Sequence, residues 1–407
     1  MPKRDVTFQM KIIHTSDWHL GNRLYNYDRT DEEEHFFRQL AAVVERERPD
    51  AFVVSGDVYH TGAPGNDVAK RFTERLLDVV GKCSGMETVV IAGNHDSYSR
   101  LVVDEALWRR FHVHVFGRPS EDGDGRAVFG ENVVEVAGKG IIAAVPFCHS
   151  RNFPLVAGAP GEDREKEYFE GLAEYVRCRA KGLPSVLMAH LAVKSELDMR
   201  GHDRMMVIGG EECVDVADLG SAYDYVALGH IHCPQWIKGE RKLARYCGTP
   251  YAIQFGETYD HGVDVVTVEQ GQEPVVRTEV LEPLHELVTL GGDDGVAFDA
   301  ALGIVDGAAL PADTYIRLNV RLGAGEFAGP DWSERARQAC LAKGLRFCVV
   351  NPVRTESPNR DEARKMLTMA ELRELSDDEV LEILSLRHEM SPRQRELVKA
   401  LMKEVLA

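Results

Sequence analysis

Five short polar clusters along the chain carry residue types suited to metal chemistry. They are Asp17-Trp18-His19, Gly56-Asp57-Val58-Tyr59-His60, Gly93-Asn94-His95-Asp96, His190 after a Val-Leu-Met-Ala run, and Gly229-His230-Ile231-His232. Carboxylate, imidazole and amide oxygen are hard to borderline donors, the set that holds Mn²⁺, Fe or Zn²⁺. Two such ions roughly 3.5–4 Å apart need a shared carboxylate and several ligands each. Asp57 is the natural shared group, and the alternating pairs Asp17/His19 and His230/His232 can each place two donors around one centre. Singly, each cluster is weak evidence, because Asp and Asn commonly cap turns and a lone His190 is more often a satisfied core histidine. His14 lies inside a strand and reads as structural. His60 either touches substrate or fills a loop, and Asp96 either orients His95 or a ligand, or caps a turn.

What gives the clusters weight is their setting. Each lies just past the carboxyl end of an apolar strand-like run, the edge where open α/β sheets bind ligands. Glycines ahead of Asp57, Asn94 and His230 permit the tight turns that aim side chains back at that edge. Alternating strand and helix patterns over the first ~265 residues indicate an α/β architecture. Expected strands are Lys11–Ser16, Ala51–Ser55, Thr88–Ala92, Ser185–Ala189 and Tyr223–Leu228, with hairpins Val133–Val136/Ile141–Val145 and Val263–Val268/Val275–Val280. Expected helices start at a Thr30/Glu33 capping box, at Asn66, and over Glu162–Ala180.

The 407 residues suffice for two to three domains. A large α/β domain is expected over 10–283 and a small α+β domain over 284–355, with strand Tyr315–Leu322, helix Trp332–Lys343 and strand Leu345–Val350. A linker and two amphipathic helices fill 356–407. Ser376/Glu379 and Ser391-Pro392/Gln394 cap those helices, whose apolar stripes need a docking surface. Composition is that of an ordinary globular protein, 44% apolar and 28% charged, which excludes disorder of the whole chain. No run approaches the ~18 apolar residues of a membrane helix. Residues Met1–Trp18 lack a signal-peptide core, and Met10 is an alternative start. The eight cysteines form no CxxC pair and read as buried free thiols of a reducing cytoplasm. A net charge of −18 means that any nucleic acid must be gripped by local cations.

The order DxH, GD, GNHD, H, GHxH resembles the calcineurin-like metallophosphoesterase superfamily. The stretches His14–Gly21, Ser55–Pro64, Ile91–Ser97, Tyr225–His232, Tyr246–Glu257 and Glu374–Val380 resemble, within it, the SbcD-like nucleases. The resemblance implies a metallophosphoesterase sandwich with a small capping, DNA-binding domain and a helical tail. It implies one ion held by Asp17, His19, Asp57 and His232, and a second by Asp57, Asn94, His190 and His230, most often Mn²⁺. His95 would face the substrate without being a ligand, steadying the transition state or protonating the leaving alkoxide. The ions would lower the pKa of water to supply a nucleophile at neutral pH. The implied activity is 3'-5' double-strand exonuclease and single-strand or hairpin endonuclease action, in DNA repair, recombination and replication. The implied partners are DNA, an SbcC-like coiled-coil ATPase docked on the C-terminal helices, and a second copy within a heterotetramer, in the cytoplasm at the nucleoid. Arg23, Lys194, Arg200, Arg204 and His60 are candidate substrate contacts, with solvated loop charge the alternative for the cations. Two other readings are a phosphoesterase for a small nucleotide or phosphoprotein, and an inactive scaffold; the complete donor set argues against the scaffold.

Overall fold

The computed structural model describes residues 8–195, 197–199, 213–239, 243–323, 326–354 and 398. Two compact units divide between Val288 and Thr289. In chain order the first contains β1 (Gln9–Thr15), a ribbon of β2 (Arg23–Leu24) and β3 (Tyr27–Asp28), α1 (Thr30–Glu47), β4 (Ala51–Ser55), α2 (Asn66–Val80) and β5 (Glu87–Ile91). There follow the single-turn helices α3 (Tyr98–Leu101) and α4 (Glu105–Trp108), then β6 (Val113–Phe116), β7 (Val133–Val136), β8 (Gly140–Val145) and α5 (Arg164–Ala180). The unit closes with β9 (Ser185–His190), β10 (Tyr225–Gly229), β11 (Gln235–Trp236), β12 (Ala244–Tyr246), β13 (Gly262–Glu269) and β14 (Val275–Val280).

These strands form two six-stranded sheets, ordered β14-β13-β1-β4-β5-β6 and β11-β12-β10-β9-β8-β7. The strands that lead into the polar clusters run parallel: β1 with β4 and β4 with β5 in one sheet, β9 with β10 in the other. Period-two alternation sorts their side chains into two cores. Met10, Ile12, Ala51, Val53, Val89 and Ile91 face Ile142, Ala144, Val186, Met188, Tyr225 and Ala227 between the sheets. Ile13, Phe52, Val54 and Val90 face outward to Phe36, Leu40, Val44, Phe72 and Leu76 of α1 and α2. Ile141, Ala143, Leu187 and Ala189 face outward to Phe169, Leu172 and Val176 of α5. The result is a four-layer α/β/β/α sandwich. Each of the larger aliphatic and aromatic side chains among them contributes about 1.5–3 kcal/mol on burial, so the strand ends rest on a stiff base.

The first helix begins differently from expectation. Thr30 donates its backbone N–H to Asp28 Oδ1 at 2.9 Å, and Glu33 does not reach back to cap. Glu33 is buried, and its carboxylate accepts from Gly21 N at 2.7 Å and Arg71 Nε at 2.7 Å. A carboxylate enclosed by three segments takes its tertiary partners. Helix α2 likewise starts with Gly65, not Asn66, at its N-cap. Cys83, Cys233, Cys247 and Cys340 are buried free thiols as expected, but Cys178 is exposed on α5.

The second unit has its own sheet, β15 (Leu287–Leu290), β16 (Tyr315–Leu322) and β17 (Arg346–Arg354), in that order, with α6 (Phe298–Gly307) and α7 (Trp332–Ala342). Phe298, Ala301, Val305, Ile316, Leu318, Val320, Ala336 and Cys340 are buried, and Phe298 stacks on Trp332 with centroids 4.5 Å apart. Strand β17 runs on through Asn351–Arg354, beyond the Leu345–Val350 strand expected from the sequence. Pro352 is tolerated because β17 is an edge strand whose outer side needs no ladder donor. The expected tail helices, with their caps and apolar stripes, lie outside the described residues. Among the described residues no helix is long and apolar enough to cross a membrane.

Candidate metal centre

The loops after β1 and β4 are laced together because their strands are neighbours. Asp17 N donates to Gly56 O at 2.9 Å, and His19 N to Asp57 O at 3.0 Å. Between them Trp18 is fully buried, donating to Thr15 Oγ1 at 2.9 Å and packing edge-on against Phe37. Thus alternate residues of the Asp-Trp-His motif go to the site and to the core. Asp17, His19, Asp57 and His230 all have positive φ, at +53°, +46°, +50° and +106°. Non-glycine residues held there cost on the order of 1–3 kcal/mol each and persist where surroundings over-determine them. Two glycines are required by space. A Cβ on Gly93 would lie 2.1 Å from Asp57 Oδ1, and one on Gly56 (φ +93°) would lie 2.3 Å from His190 Nδ1.

The side chains converge on one another. Asp57 Oδ2 lies 3.6 Å from His19 Nε2 and 3.6 Å from His190 Nε2. Donor atoms of Asp17, His19 and His232 lie within 4.8 Å of one another, as do those of Asp17, Asp57 and His190. Asn94 Oδ1 lies 3.0 Å from His190 Nε2 and 3.1 Å from His230 Nδ1. His190 Nδ1 faces the Ser55 carbonyl at 2.8 Å, so the neutral ring carries its proton there. Its Nε2 lone pair is then turned toward an amide oxygen and a carboxylate. Acceptors facing acceptors in a dry site are favourable only with a cation among them, so the donor set fits divalent metal.

Electrostatics point the same way. Burial, reinforced by the neighbouring imidazoles, holds His19 well below the ordinary histidine range, and burial takes His190 down to about 4. Both are therefore neutral, as ligand histidines must be. Burial raises the Asp57 carboxyl, while His95 and the other imidazoles pull it back. Burial lowers His232, but the hydrogen bond and charge of Glu257, with Asp17 and Asp57 behind, raise it overall.

His95 borders this cluster, with its ring edge-on to His19 at 4.8 Å between centroids. Its Nδ1 faces the His60 carbonyl at 2.9 Å, and its backbone N–H donates to Asp57 Oδ1 at 2.9 Å. The His60 ring stacks over His95 at 5.8 Å, and one nitrogen each of His19, His60 and His95 falls within 4.8 Å of the others. Asp96 holds backbone: it accepts from Val58 N, Tyr59 N and Gly93 N at 2.9–3.0 Å, stapling two loops. Of its two sequence readings, that is the turn-capping one. His14 is fully buried between Tyr225 OH (2.9 Å) and Ser55 Oγ (3.1 Å), a structural group. Arg23 is exposed in the β2–β3 ribbon, donating to Asn26 O and paired with Asp28. Lys194 is exposed just after the His190 strand, while Arg200 and Arg204 lie outside the described residues.

Glu257 has no role assigned from the sequence. It is buried, with Oε1 3.0 Å from His232 Nδ1. The signal present in the chain is an acid two residues past the largely apolar Tyr251–Phe255 stretch.

A four-layer sandwich with such donors at its parallel strand ends defines a metal-dependent phosphoesterase. The family model described as calcineurin-like phosphoesterase matches residues 10–234, and the chain belongs to that family. Its relatives there include the SbcD component of the nuclease SbcCD of Rhodobacter capsulatus, 32% identical over 278 residues, or 65% of this chain and 68% of that relative. The corresponding SbcD of Bacillus subtilis is 29% identical, covering 71% of this chain and 74% of its own. That of Escherichia coli K12 is 28% identical, covering 70% and 71%. Family and donor set together make this protein a metal-dependent phosphodiester hydrolase.

Proposed function

We propose that this protein is a Mn²⁺-dependent DNA nuclease, cleaving 3'-5' from duplex ends and endonucleolytically at single strands and hairpins. The observation that carries the metal assignment is Asp57 Oδ2, equidistant at 3.6 Å from histidines of two donor groups. In this reading Asp17, His19, Asp57 and His232 hold one ion, and Asp57, Asn94, His190 and His230 the other. When bound, the two ions supply Lewis-acid charge to a phosphodiester and a nucleophile at neutral pH. His95, anchored through Nδ1 on His60 O, presents its other nitrogen to the substrate and steadies the transition state or protonates the leaving alkoxide. His60, Arg23, Lys194, Arg200 and Arg204 contact the DNA. The relatives' name as part of SbcCD supports a coiled-coil ATPase partner, docked on the helices of 356–407, with 10–283 as nuclease and 284–355 as capping domain. Exposed Tyr98, Val103, Leu107 and Phe111, following the Gly-Asn-His-Asp motif, support a homodimer within the assembly. A cytoplasmic, nucleoid-associated location follows from that substrate.

The test is purified protein with Mn²⁺ on blunt duplex, hairpin and single-stranded DNA beside bis-p-nitrophenyl phosphate. Hydrolysis of the small ester alone would favour a small-substrate phosphoesterase. Deleting Met366–Ala407 is expected to leave single-strand cleavage intact and abolish co-purification with the ATPase. Retained co-purification with a large fall in melting temperature would show the tail to be part of this protein's own core.

A further inference from the structure

We infer that Glu257 is the positioning residue that makes His232 a ligand, and that it serves one of the two ions only. The inference rests on the ligand assignment proposed above. A carboxylate accepts and cannot donate, so the 3.0 Å contact to Glu257 Oε1 puts the ring proton on His232 Nδ1 and the lone pair on Nε2. That Nε2 lies 3.3 Å from His19 Nε2, within the Asp17, His19 and His232 group. Glu257 is itself held rigidly. Its Oε2 accepts from Ile253 N at 2.8 Å and Thr249 Oγ1 at 3.3 Å, and Thr249 N returns to His232 O at 3.0 Å. Loop and ligand are thereby clamped at both ends.

The other group uses the same device with a weaker partner: His190 Nδ1 is oriented by the neutral carbonyl of Ser55. A charged acceptor raises the basicity of the ligating nitrogen more than a neutral one does, and such outer partners are worth roughly 10–100-fold in metal affinity. The two ions are therefore supported unequally, and removing the Glu257 charge falls on one.

The experiment is Mn²⁺ titration of metal-free wild-type, Glu257→Gln and His232→Ala proteins by calorimetry, with stoichiometry by mass spectrometry. Nitrogen NMR of the histidine rings in metal-free protein, at a pH high enough to keep His232 neutral, reads the tautomer independently. Glu257→Gln keeps the volume and an acceptor for Ile253 N. It is expected to retain one ion at wild-type affinity, bind the other roughly 10–100-fold more weakly, shift the His232 ring signals and leave melting unchanged. Wild-type affinity for both ions in Glu257→Gln, with one ion lost in His232→Ala, overturns the inference alone. Equal weakening of both ions with a lowered melting temperature also overturns it, since Glu257 would then merely hold its loop. Two tightly bound ions in His232→Ala overturn the ligand assignment and this inference together.

Discussion

The strand-end rim of the first unit and the small second unit are built from the same materials and treat polarity in opposite ways. The rim buries Asp17, His19, Asp57, His190, His230 and His232 side by side. The buried polar residues described in the second unit are Thr314 and Asn319, and each donates to a backbone carbonyl, Pro311 O at 2.8 Å and Gly292 O at 2.7 Å. Its charges pair at the surface, as in Arg337–Glu334 and Arg335–Asp299. Enclosed lone pairs without matching donors cost free energy, and so does backbone at positive φ. A fold tolerates that concentration where an ion offsets it, and the described residues of the second unit show how the same chain packs buried polar groups that bond to backbone carbonyls.

The largest test of this contrast is Asp57→Asn. Removing the charge between two dications should release both and lower hydrolysis of bis-p-nitrophenyl phosphate by at least about 10³-fold. Two ions still tightly held, measured by mass spectrometry, would remove Asp57 from the bridging position. His95→Ala should keep both ions and lose on the order of 10²–10⁴ in turnover on DNA. Near-wild-type turnover of the loaded variant would strike His95 from the catalytic group.

Next in size is a pH effect from beneath the rim. Burial, with Arg245 nearby, takes His14 from 6.5 down to about 3. The unfolded chain binds its proton below about 6.5 and the folded chain resists it, so His14 contributes stability fully above 6.5 that is lost as pH falls toward 3. The loss should be on the order of a few kcal/mol, read as the difference in urea unfolding between wild type and His14→Gln across that window. Parallel pH curves for the two proteins would contradict it.

The smallest effects set the two regions against each other through glycine. Gly93→Ala drives a methyl to 2.1 Å from Asp57 Oδ1 and should cost about 1–3 kcal/mol together with metal affinity. Gly303→Ala, inside α6 with nothing within 4 Å of the added carbon, should stabilise by about 0.5–1 kcal/mol and leave metal binding unchanged. A neutral Gly93→Ala would mean that the rim is less crowded than its geometry implies.

Local chemistry written in the chain determined the donor residues, their order along it and the apolar strands carrying them. A strand's alternation and a glycine before a turn depend on neighbours a few residues away. The same locality made Ala51–Ser55 and Tyr315–Leu322 legible to the residue. What only the tertiary structure decided spans long separations. Glu257 meets His232 across 25 positions, Asp96 staples Val58 and Tyr59 from 38 and 37 away, and Glu33 leaves its capping role for Arg71, 38 residues on. Pro352 sits in a strand because that strand is an edge, a fact of sheet order. Periodicity reports which face of an element is apolar. Which buried carboxylate meets which imidazole is settled only when two sheets pack and exclude water, because a polar group taken out of water must then bond to whatever the packing has brought beside it.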